Sequence, residues 1–353
     1  MRDAGFTFVE LLVAAAITLL IGAATATFLA AHLALARAQP EAADVQQRAR
    51  GAVAVMAADL ATAGASGDAG GAVGSLACCV PVVQPRRIGE RLPDAPGTAR
   101  SDVLTLTRTA SGASTGALRA PLAGGILALE RSAGCRAAPL CGMAEGDEVV
   151  LFDAEGRHDF MVVGGPVGPG DDAPVTPRQA GTPHAFPAGT PVAVVETLTY
   201  YFDADARQIR QYDGRASDVP VVDDVVGLRF EYWGEPGVPV RALRETGQGS
   251  CWFDVDGLPR HGGIVTPAGA PLVVLPLESL RDGPWCGSGE NRFDADLLRI
   301  RRVRMVVRVA AGADDARGRG GAFAREGSAT SAMRLVPDME VAIDVSPRNL
   351  NAD

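Results

Sequence analysis

An uncharged apolar segment near the N-terminus constrains this chain more than any other feature. Residues 11–31 contain no charged side chain and only scattered threonines. As a helix, a segment of this length measures about 32 Å, which is enough to cross the hydrocarbon core of a bilayer. A cleaved secretory signal would have a shorter apolar core and a small-x-small cleavage site. The sequence therefore predicts a transmembrane helix, and Arg2 before it, with no further basic residue until Arg37, slightly favours a cytoplasmic N-terminus.

Glu10 lies immediately before this uncharged segment. A charge in hydrocarbon costs about 2.5 to 3.5 kcal/mol at a helix centre, so the carboxylate should have a partner. Cleavage of the bond between Gly5 and Phe6 would give Phe6 a free cationic amine, four residues from Glu10 on the same helix face. That amine could pair with Glu10 of its own chain. It could equally pair with Glu10 of a neighbouring copy or homologue, and would then set the register of an assembly.

The residues GFTFVELL, with Gly5, Phe6 and Glu10 so spaced, resemble the type IV prepilin processing motif. The resemblance implies that a prepilin peptidase cleaves after Gly5 and N-methylates Phe6, and that Glu10 docks the subunit into a filament. The short leader departs modestly from the motif, because Asp3 partly offsets Arg2. The plain alternative is a signal anchor that holds a periplasmic enzyme or binding protein, with Glu10 at the interface by chance.

A second apolar pattern follows the transmembrane segment. Its residues recur every three or four positions, as in an amphipathic helix, and are Val45, Ala49, Val53, Met56, Ala57 and Leu60. Pro40 is expected to kink or interrupt this helix near the membrane surface, and Gly64 to end it.

Beyond about residue 72 the pattern changes to the period of two that is typical of strands. The predicted strands cover 103–109, 148–153, 159–164, a hairpin in 196–215, 221–234, 302–309 and 338–345. In 302–309, arginines alternate with apolar residues, as expected of an antiparallel strand with one solvated face. The sequence thus predicts an α+β, pilin-like fold in which a long N-terminal helix packs on a mainly antiparallel β head. The predicted divisions are a leader at 1–5, a transmembrane helix at 6–35, a periplasmic amphipathic helix at 36–66 and the head at 67–353.

The order of strands in 196–233 and 296–351, with the terminal PRNLN, resembles PilW-type minor pilins. This second resemblance implies a subunit of a pilus priming or tip complex, whose partners are other minor and major pilins, the prepilin peptidase and the inner membrane. It implies a single-pass inner-membrane protein with a periplasmic head before assembly, and a pilus subunit at the cell surface afterwards. A J-type minor pseudopilin of type II secretion shares the same processing and remains the alternative.

Six cysteines form an even set in a chain that the N-terminus marks as exported, so disulfides are expected. Cys135 and Cys141 bracket a short segment, and Cys251 and Cys286 flank an irregular region that a bond between them would staple. With Cys78 and Cys79 included, fifteen pairings are possible. Structural zinc is disfavoured, because these cysteines lack the C-x-x-C spacing of zinc sites.

The chemistry suggested by charge and motif is sparse. A net charge of -9 and a pI near 5.1 argue against binding of the nucleic-acid backbone. The chain has four histidines, no hydrolase motif and no lysine, so a phosphate-binding G-x-x-x-x-G-K-[ST] loop is excluded. Three D-x-D pairs suit tight turns better than calcium, and are Asp203/Asp205, Asp254/Asp256 and Asp294/Asp296. The prediction is a protein that is not an enzyme and has no cofactor and no metal site.

Overall fold

The structure, a computed structural model, describes residues 7–64, 76–109, 115–130, 139–166, 172–178, 183–239, 249–260, 271–312 and 336–351. The chain divides into two compact units. One contains residues 1–48 with 309–339, and the other contains residues 49–308 with 340–353.

One helix, α1, runs from Phe8 to Ala61 and has 54 residues. It continues through Pro40, so the expected interruption there is wrong. Proline lacks the N–H that would bond the carbonyl of Ala36, but its fixed φ suits a helix and the turns on either side remain bonded. Gly64 follows the helix in the left-handed region, with φ of 71°, and its N–H donates to the carbonyl of Thr107 at 3.0 Å.

The predicted apolar stripe of α1 is largely buried. Val45 and Ala49, Val53, Met56 and Leu60 are each at most 5% exposed. Ala57 is only half-buried, and Ala52, which the spacing did not select, is fully buried. The amphipathic pattern therefore located the packed face, with an error of about one residue at its edge.

The other regular elements of the described chain are mainly strands, with a short C-terminal helix. The strands are β1 (Val83–Gln84), β2 (Val103–Thr109), β3 (Thr115–Leu118), β4 (Ile126–Glu130), β5 (Glu148–Phe152), β6 (His158–Val163), β7 (Asp172–Pro177), β8 (Pro191–Asp203), β9 (Gln208–Tyr212), β10 (Asp218–Val222), β11 (Val225–Gly234), β12 (Val273–Leu275), β13 (Trp285–Cys286), β14 (Phe293–Asp294), β15 (Ile300–Val309) and β16 (Met339–Val345), and the helix α2 covers Arg348–Asn351. The pairings whose register is resolved are all antiparallel. The predicted α+β fold is confirmed.

Strand β8 organises the larger sheet, which has ten strands. Its first half pairs with β3 on one side and β5 on the other, and its second half pairs with β2 and β9. Since β3, β4, β7, β6 and β5 also pair in that order, the strands from β3 to β8 close into a small barrel. A continuous apolar core fills it, including Leu129, Val149, Leu151, Met161 and Phe186.

A second sheet has the order β12, β11, β15, β16. In β15 the predicted apolar face is fully buried, since Val303, Met305, Val307 and Val309 are each 0% exposed. At the edge of this sheet, β16 lies beside β15. The side chains of Arg304 in β15 and Asp344 in β16 form an ion pair at 2.7 Å. The predicted apolar face of β16 is at most half-buried, because an edge strand is covered on fewer sides than a central one.

The last turns of α1 are fastened to the sheet by one carboxylate. Asp59 Oδ1 accepts from Arg108 Nη1 of β2 at 2.9 Å, and its Oδ2 accepts from Tyr200 Oη of β8 at 2.5 Å and from Gln211 Nε2 of β9 at 3.3 Å. We call these four residues the Asp59 clamp. Burial, and the bond to the Asp59 carboxylate, raise the pKa of the Tyr200 hydroxyl, which therefore stays a donor.

Candidate functional site

The first turn of α1 is closed by a reciprocal pair of side chains. Thr7 precedes the helix, and its Oγ1 accepts from the Glu10 N–H at 3.3 Å. In return, Glu10 Oε2 accepts from the Thr7 N–H and from Thr7 Oγ1, both at 2.9 Å. This is a capping box, in which two N–H groups that the helix cannot satisfy are bonded by side chains. The spacing T-x-x-E carried this information, and the sequence analysis did not use it.

An apolar surface without protein contacts follows this turn. Residues Phe8–Ala30 form a stretch of 23 residues with a mean hydropathy of 2.2, none of it buried. As a helix it measures about 34 Å, close to the thickness of the hydrocarbon core. Its side chains are apolar on every side of the helix, with Phe8, Leu19 and Leu20 each more than 70% exposed. By length and composition, this helix can cross a membrane.

The hydroxyl groups of Thr18 and Thr25 in this stretch form hydrogen bonds within the helix. Thr18 Oγ1 donates to the carbonyl of Ala14, and Thr25 Oγ1 to that of Ile21, both at 2.7 Å. A hydroxyl bonded to its own helix presents mainly its methyl group outward. The threonines are therefore compatible with surroundings that contain no water.

Glu10 is the one charged residue within this stretch. Its Oε2 is occupied by Thr7, whereas its Oε1 has no bond to any residue that the structure describes. One carboxylate oxygen thus remains available to a cation from outside the helix. Gly5 and Phe6, the predicted processing residues, lie outside the described residues, and the pairing of the Phe6 amine with Glu10 stays a prediction.

The predicted disulfide residues are placed in part. Cys251 is bonded to Cys286, the bridge expected across the irregular region, and Cys78 is bonded to its neighbour Cys79. Cys141 is disulfide-bonded as well, and Cys135 lies outside the described residues. Among the cysteines that the structure describes, none is free.

The three D-x-D pairs use their carboxylates locally. Asp254 Oδ1 accepts from the N–H groups of Asp256 and Leu258, Asp203 Oδ1 accepts from that of Ala206, and Asp294 Oδ1 accepts from that of Asp296. These are the turns and caps that the spacing favours. Within the described ranges, no group of three or more potential ligands is arranged to hold a metal ion.

The sequence analysis missed one polar cluster in the head. His184 bonds Asp159 through one ring nitrogen and Ser288 through the other. The partners are 25 and 104 residues away along the chain, so no local motif could signal the cluster. The barrel and the loops that follow it bring the three side chains together.

Comparison with known families supports the prediction of a prepilin-type N-terminus. Residues 1–26 match the model of the prokaryotic N-terminal methylation motif. A comparison with curated proteins finds no match. The matched segment contains Gly5, Phe6 and Glu10, and ends inside the apolar stretch of α1. A prepilin-type N-terminus of this kind supports a type IV pilin-like protein that a prepilin peptidase processes.

Proposed function

We propose that this chain is a minor pilin of a type IV pilus, which acts in pilus priming or at the pilus tip. The observation that carries the proposal is a fully exposed apolar helix beginning beside a lone carboxylate, within the segment that matches the methylation motif. The PilW-type order of strands supports the finer assignment. The protein acts in pilus assembly, and its partners are other minor and major pilins.

The exposed helix must be covered in each state of the protein. Burial of apolar surface is favourable by about 25 cal/mol per Å², so a 23-residue apolar helix does not remain in water. Before assembly the inner membrane covers it. After assembly the corresponding helices of neighbouring pilins do so, and the head faces outward.

Glu10 gives this packing its register. In the pilus core its carboxylate needs a cation, and removal of residues 1–5 by the prepilin peptidase creates one at the N-methylated amine of Phe6. The capping box holds Glu10 Oε2 against Thr7, which leaves Oε1 for the amine of an incoming or preceding subunit. The pair therefore favours one axial position of each helix over those shifted by a turn.

The disulfides support a head outside the cytoplasm. The bridge between Cys251 and Cys286 and that between Cys78 and Cys79 need an oxidising compartment, as the bacterial periplasm is. This agrees with a single-pass protein whose N-terminus is cytoplasmic before assembly.

Replacement of the carboxylate by its neutral isostere tests the proposal. We expect Glu10→Gln to insert into the membrane as well as the native chain, because an uncharged side chain is cheaper in hydrocarbon. Its incorporation into sheared pili should fall about ten- to a hundredfold, since a bond between charged groups contributes about 1.5 to 3 kcal/mol. Glu41→Gln, in the same helix but beyond the apolar stretch, is the matched control and should leave both quantities unchanged.

The measurements are membrane fractionation and quantitative immunoblotting of sheared pili. Native levels of Glu10→Gln in pili would contradict the docking role of the carboxylate. Absence of the native chain from sheared pili would contradict the proposal as a whole.

A further inference from the structure

A cavity of about 560 Å³ opens in the head beside the disulfide of Cys251 and Cys286. This volume lies within the range of small-molecule sites, about 300 to 1,000 Å³. Ser288 lines it, as do Trp285, which is 38% exposed, and Arg260. The lining of the cavity thus includes an aromatic side chain, a cation, the carboxylate of Glu155 and the Ser288 hydroxyl.

Ser288 is the end of a hydrogen-bonded chain of three side chains. Its Oγ lies 2.6 Å from His184 Nε2, and His184 Nδ1 lies 2.9 Å from Asp159 Oδ1. Both distances are within hydrogen-bond reach, and the imidazole joins the hydroxyl to the carboxylate through its two opposite nitrogens. This is the order of contacts of a nucleophile, a general base and the group that orients the base.

The contacts fix the tautomer of the imidazole. A carboxylate only accepts, so Nδ1 must carry the proton that faces Asp159, and Nε2 of the neutral ring is left to accept from the Ser288 hydroxyl. Asp159 is held in place by two further donors, the His184 N–H at 2.6 Å and Asn291 Nδ2 at 3.0 Å. Its side chain is 11% exposed and that of His184 is 23% exposed, so both are largely shielded, and Ser288 is the member of the three that lines the cavity.

The backbone beside Ser288 is open at Gly289, where an added Cβ would meet nothing within 4 Å, whereas Gly287 packs against the carbonyls of Gly156 and Asn291. Gly287 and Gly289 flank it, both in the left-handed region with φ of 65° and 59°. No side chain of either neighbour blocks the approach of a carbonyl carbon to Oγ. The N–H groups of Ser288 and Gly289 donate to no residue in the described parts of the chain, and a developing oxyanion could accept from them.

We propose that Ser288, His184 and Asp159 form a hydrolytic triad for esters and amides that carry a carboxylate. Ser288 Oγ attacks the carbonyl carbon while its proton passes to His184 Nε2, and the π electron pair of the carbonyl moves to its oxygen. The tetrahedral intermediate collapses, the bond to the leaving group breaks, and His184 returns the proton to that group. Water, deprotonated by His184, then attacks the acyl carbon of the Ser288 ester, the bond to Oγ breaks, and His184 returns the proton to Oγ as the acid leaves. Asp159 is a positioning residue throughout.

The lining of the cavity sets the substrate class. Arg260 Nε bonds the carbonyl of Phe253 at 3.0 Å, and its terminal nitrogens have no bond to a described residue, so they can bind a carboxylate in a forked manner. Arg157 also lines the cavity, although Asp153 neutralises it at 2.6 Å. The face of Trp285 is covered by Arg292, at 4.1 Å from its ring centre. Glu155 adds a carboxylate to the same lining, 3.8 Å from Arg157, so the selection of an acidic substrate depends on Arg260.

The test is covalent labelling of the full chain, purified in detergent, with a fluorophosphonate probe. The probe loses fluoride to the attacking serine, and peptide mass spectrometry locates the adduct. We expect labelling at Ser288, lost in Ser288→Ala and reduced about a hundredfold or more in His184→Gln. Ser279→Ala is the matched control, because this hydroxyl bonds only a carbonyl, that of Pro276 at 2.8 Å, and should label as the native chain does.

Ester hydrolysis tests the other two roles. Mono-p-nitrophenyl succinate should be cleaved faster than p-nitrophenyl acetate, and Arg260→Gln should abolish that preference. Asp159→Asn should lower kcat per active site, counted by complete labelling with the fluorophosphonate probe, with KM unchanged, whereas a merely structural role would lower the number of active sites and leave kcat per site unchanged.

Three results would overturn the triad. They are the absence of an adduct on the folded native chain, an adduct on another serine, and labelling that is equal in Ser288→Ala. An unaltered preference in Arg260→Gln would overturn the substrate class. None of these results bears on pilus incorporation, which the Glu10 variants test separately.

Discussion

The Asp59 clamp predicts a measurable coupling between α1 and the sheet. Asp59→Ala removes an ion pair with Arg108 and two bonds to Oδ2, from Tyr200 and Gln211. The side chains of Asp59 and Arg108 are 19% and 25% exposed, so the pair is partly screened by solvent and contributes less than a fully buried one. Arg108 keeps its bond to Glu196, and Tyr200 keeps its bond to Gln211. We therefore expect the free energy of unfolding to fall by about 3 kcal/mol, the sum of three modest bonds to a charged group.

A double-mutant cycle isolates the bond between Asp59 and Tyr200. Tyr200→Phe alone should lower the free energy of unfolding by about 2 kcal/mol, because it removes the hydrogen bond to the Asp59 carboxylate and the one from Gln211. Both single variants lose the bond between Asp59 and Tyr200. The loss in free energy of unfolding of the double variant should therefore be smaller than the sum of the two single losses, by about 1 to 2 kcal/mol. Tyr201→Phe is the matched control. Its hydroxyl bonds Asp218 at 2.7 Å, away from the clamp, so its effect should add to that of Asp59→Ala within about 0.5 kcal/mol.

The assay is urea unfolding of the full chain in detergent, followed by tryptophan fluorescence. Trp252 is 1% exposed and reports on the head. A shift of the midpoint with unchanged m-value measures the change in stability. Strict additivity of Asp59→Ala with Tyr200→Phe, or a loss below about 1 kcal/mol for Asp59→Ala, would refute the clamp as a fastening between helix and sheet.

Two further predictions concern the head. Burial lowers the pKa of His158 to about 4 from 6.5, so the unfolded chain binds the proton first and stability should fall, by up to about 3 kcal/mol, as pH drops from 6.5 to 4. The urea midpoint should fall across that pH range in the native chain and fall less in His158→Gln. An equal fall of the midpoint in both proteins would contradict the prediction. Replacing Cys251 and Cys286 by Ser should lower the free energy of unfolding by about 3 to 4 kcal/mol, because their bond closes a loop with a sequence separation of 35. A native urea midpoint in that double variant would show that the bond does not constrain the unfolded chain.

Local periodicity predicted the elements whose two faces differ. The strand predicted at 103–109 is β2 with the same bounds, and the strand at 302–309 lies within β15. In β15 the alternation of Arg304 and Met305 also identified the buried face, since Met305 is 0% exposed. Such patterns record which side of a strand meets the core, and a single sequence retains that information.

The pairing of strands that are distant along the chain could not be predicted from local periodicity. Nothing in β8 itself indicates that it pairs with four other strands, because register and neighbours depend on residues far along the chain. For the same reason His184 carried no functional signal until the fold placed it between Asp159 and Ser288. Pro40 does not interrupt α1, because a helix of 54 residues tolerates one missing bond, and a kink there stays a prediction.

At the N-terminal site, the processing motif was predicted from the sequence and the capping contact was not. The spacing of Gly5, Phe6 and Glu10 indicated a prepilin-type N-terminus because that motif is local in the chain, and residues 1–26 match the methylation motif, whereas the docking role of Glu10 stays a prediction. The bonds between Thr7 and Glu10 were equally local, yet they were missed because the carboxylate was considered only as a partner of the Phe6 amine.

The mass of the N-terminal peptide of the mature protein tests the central claim most directly. The account predicts a peptide that begins at Phe6 and is heavier than its sequence by one methyl group on the α-amine, in cells that contain the prepilin peptidase. A peptide that retains Met1, or one that begins anywhere other than Phe6, would contradict it.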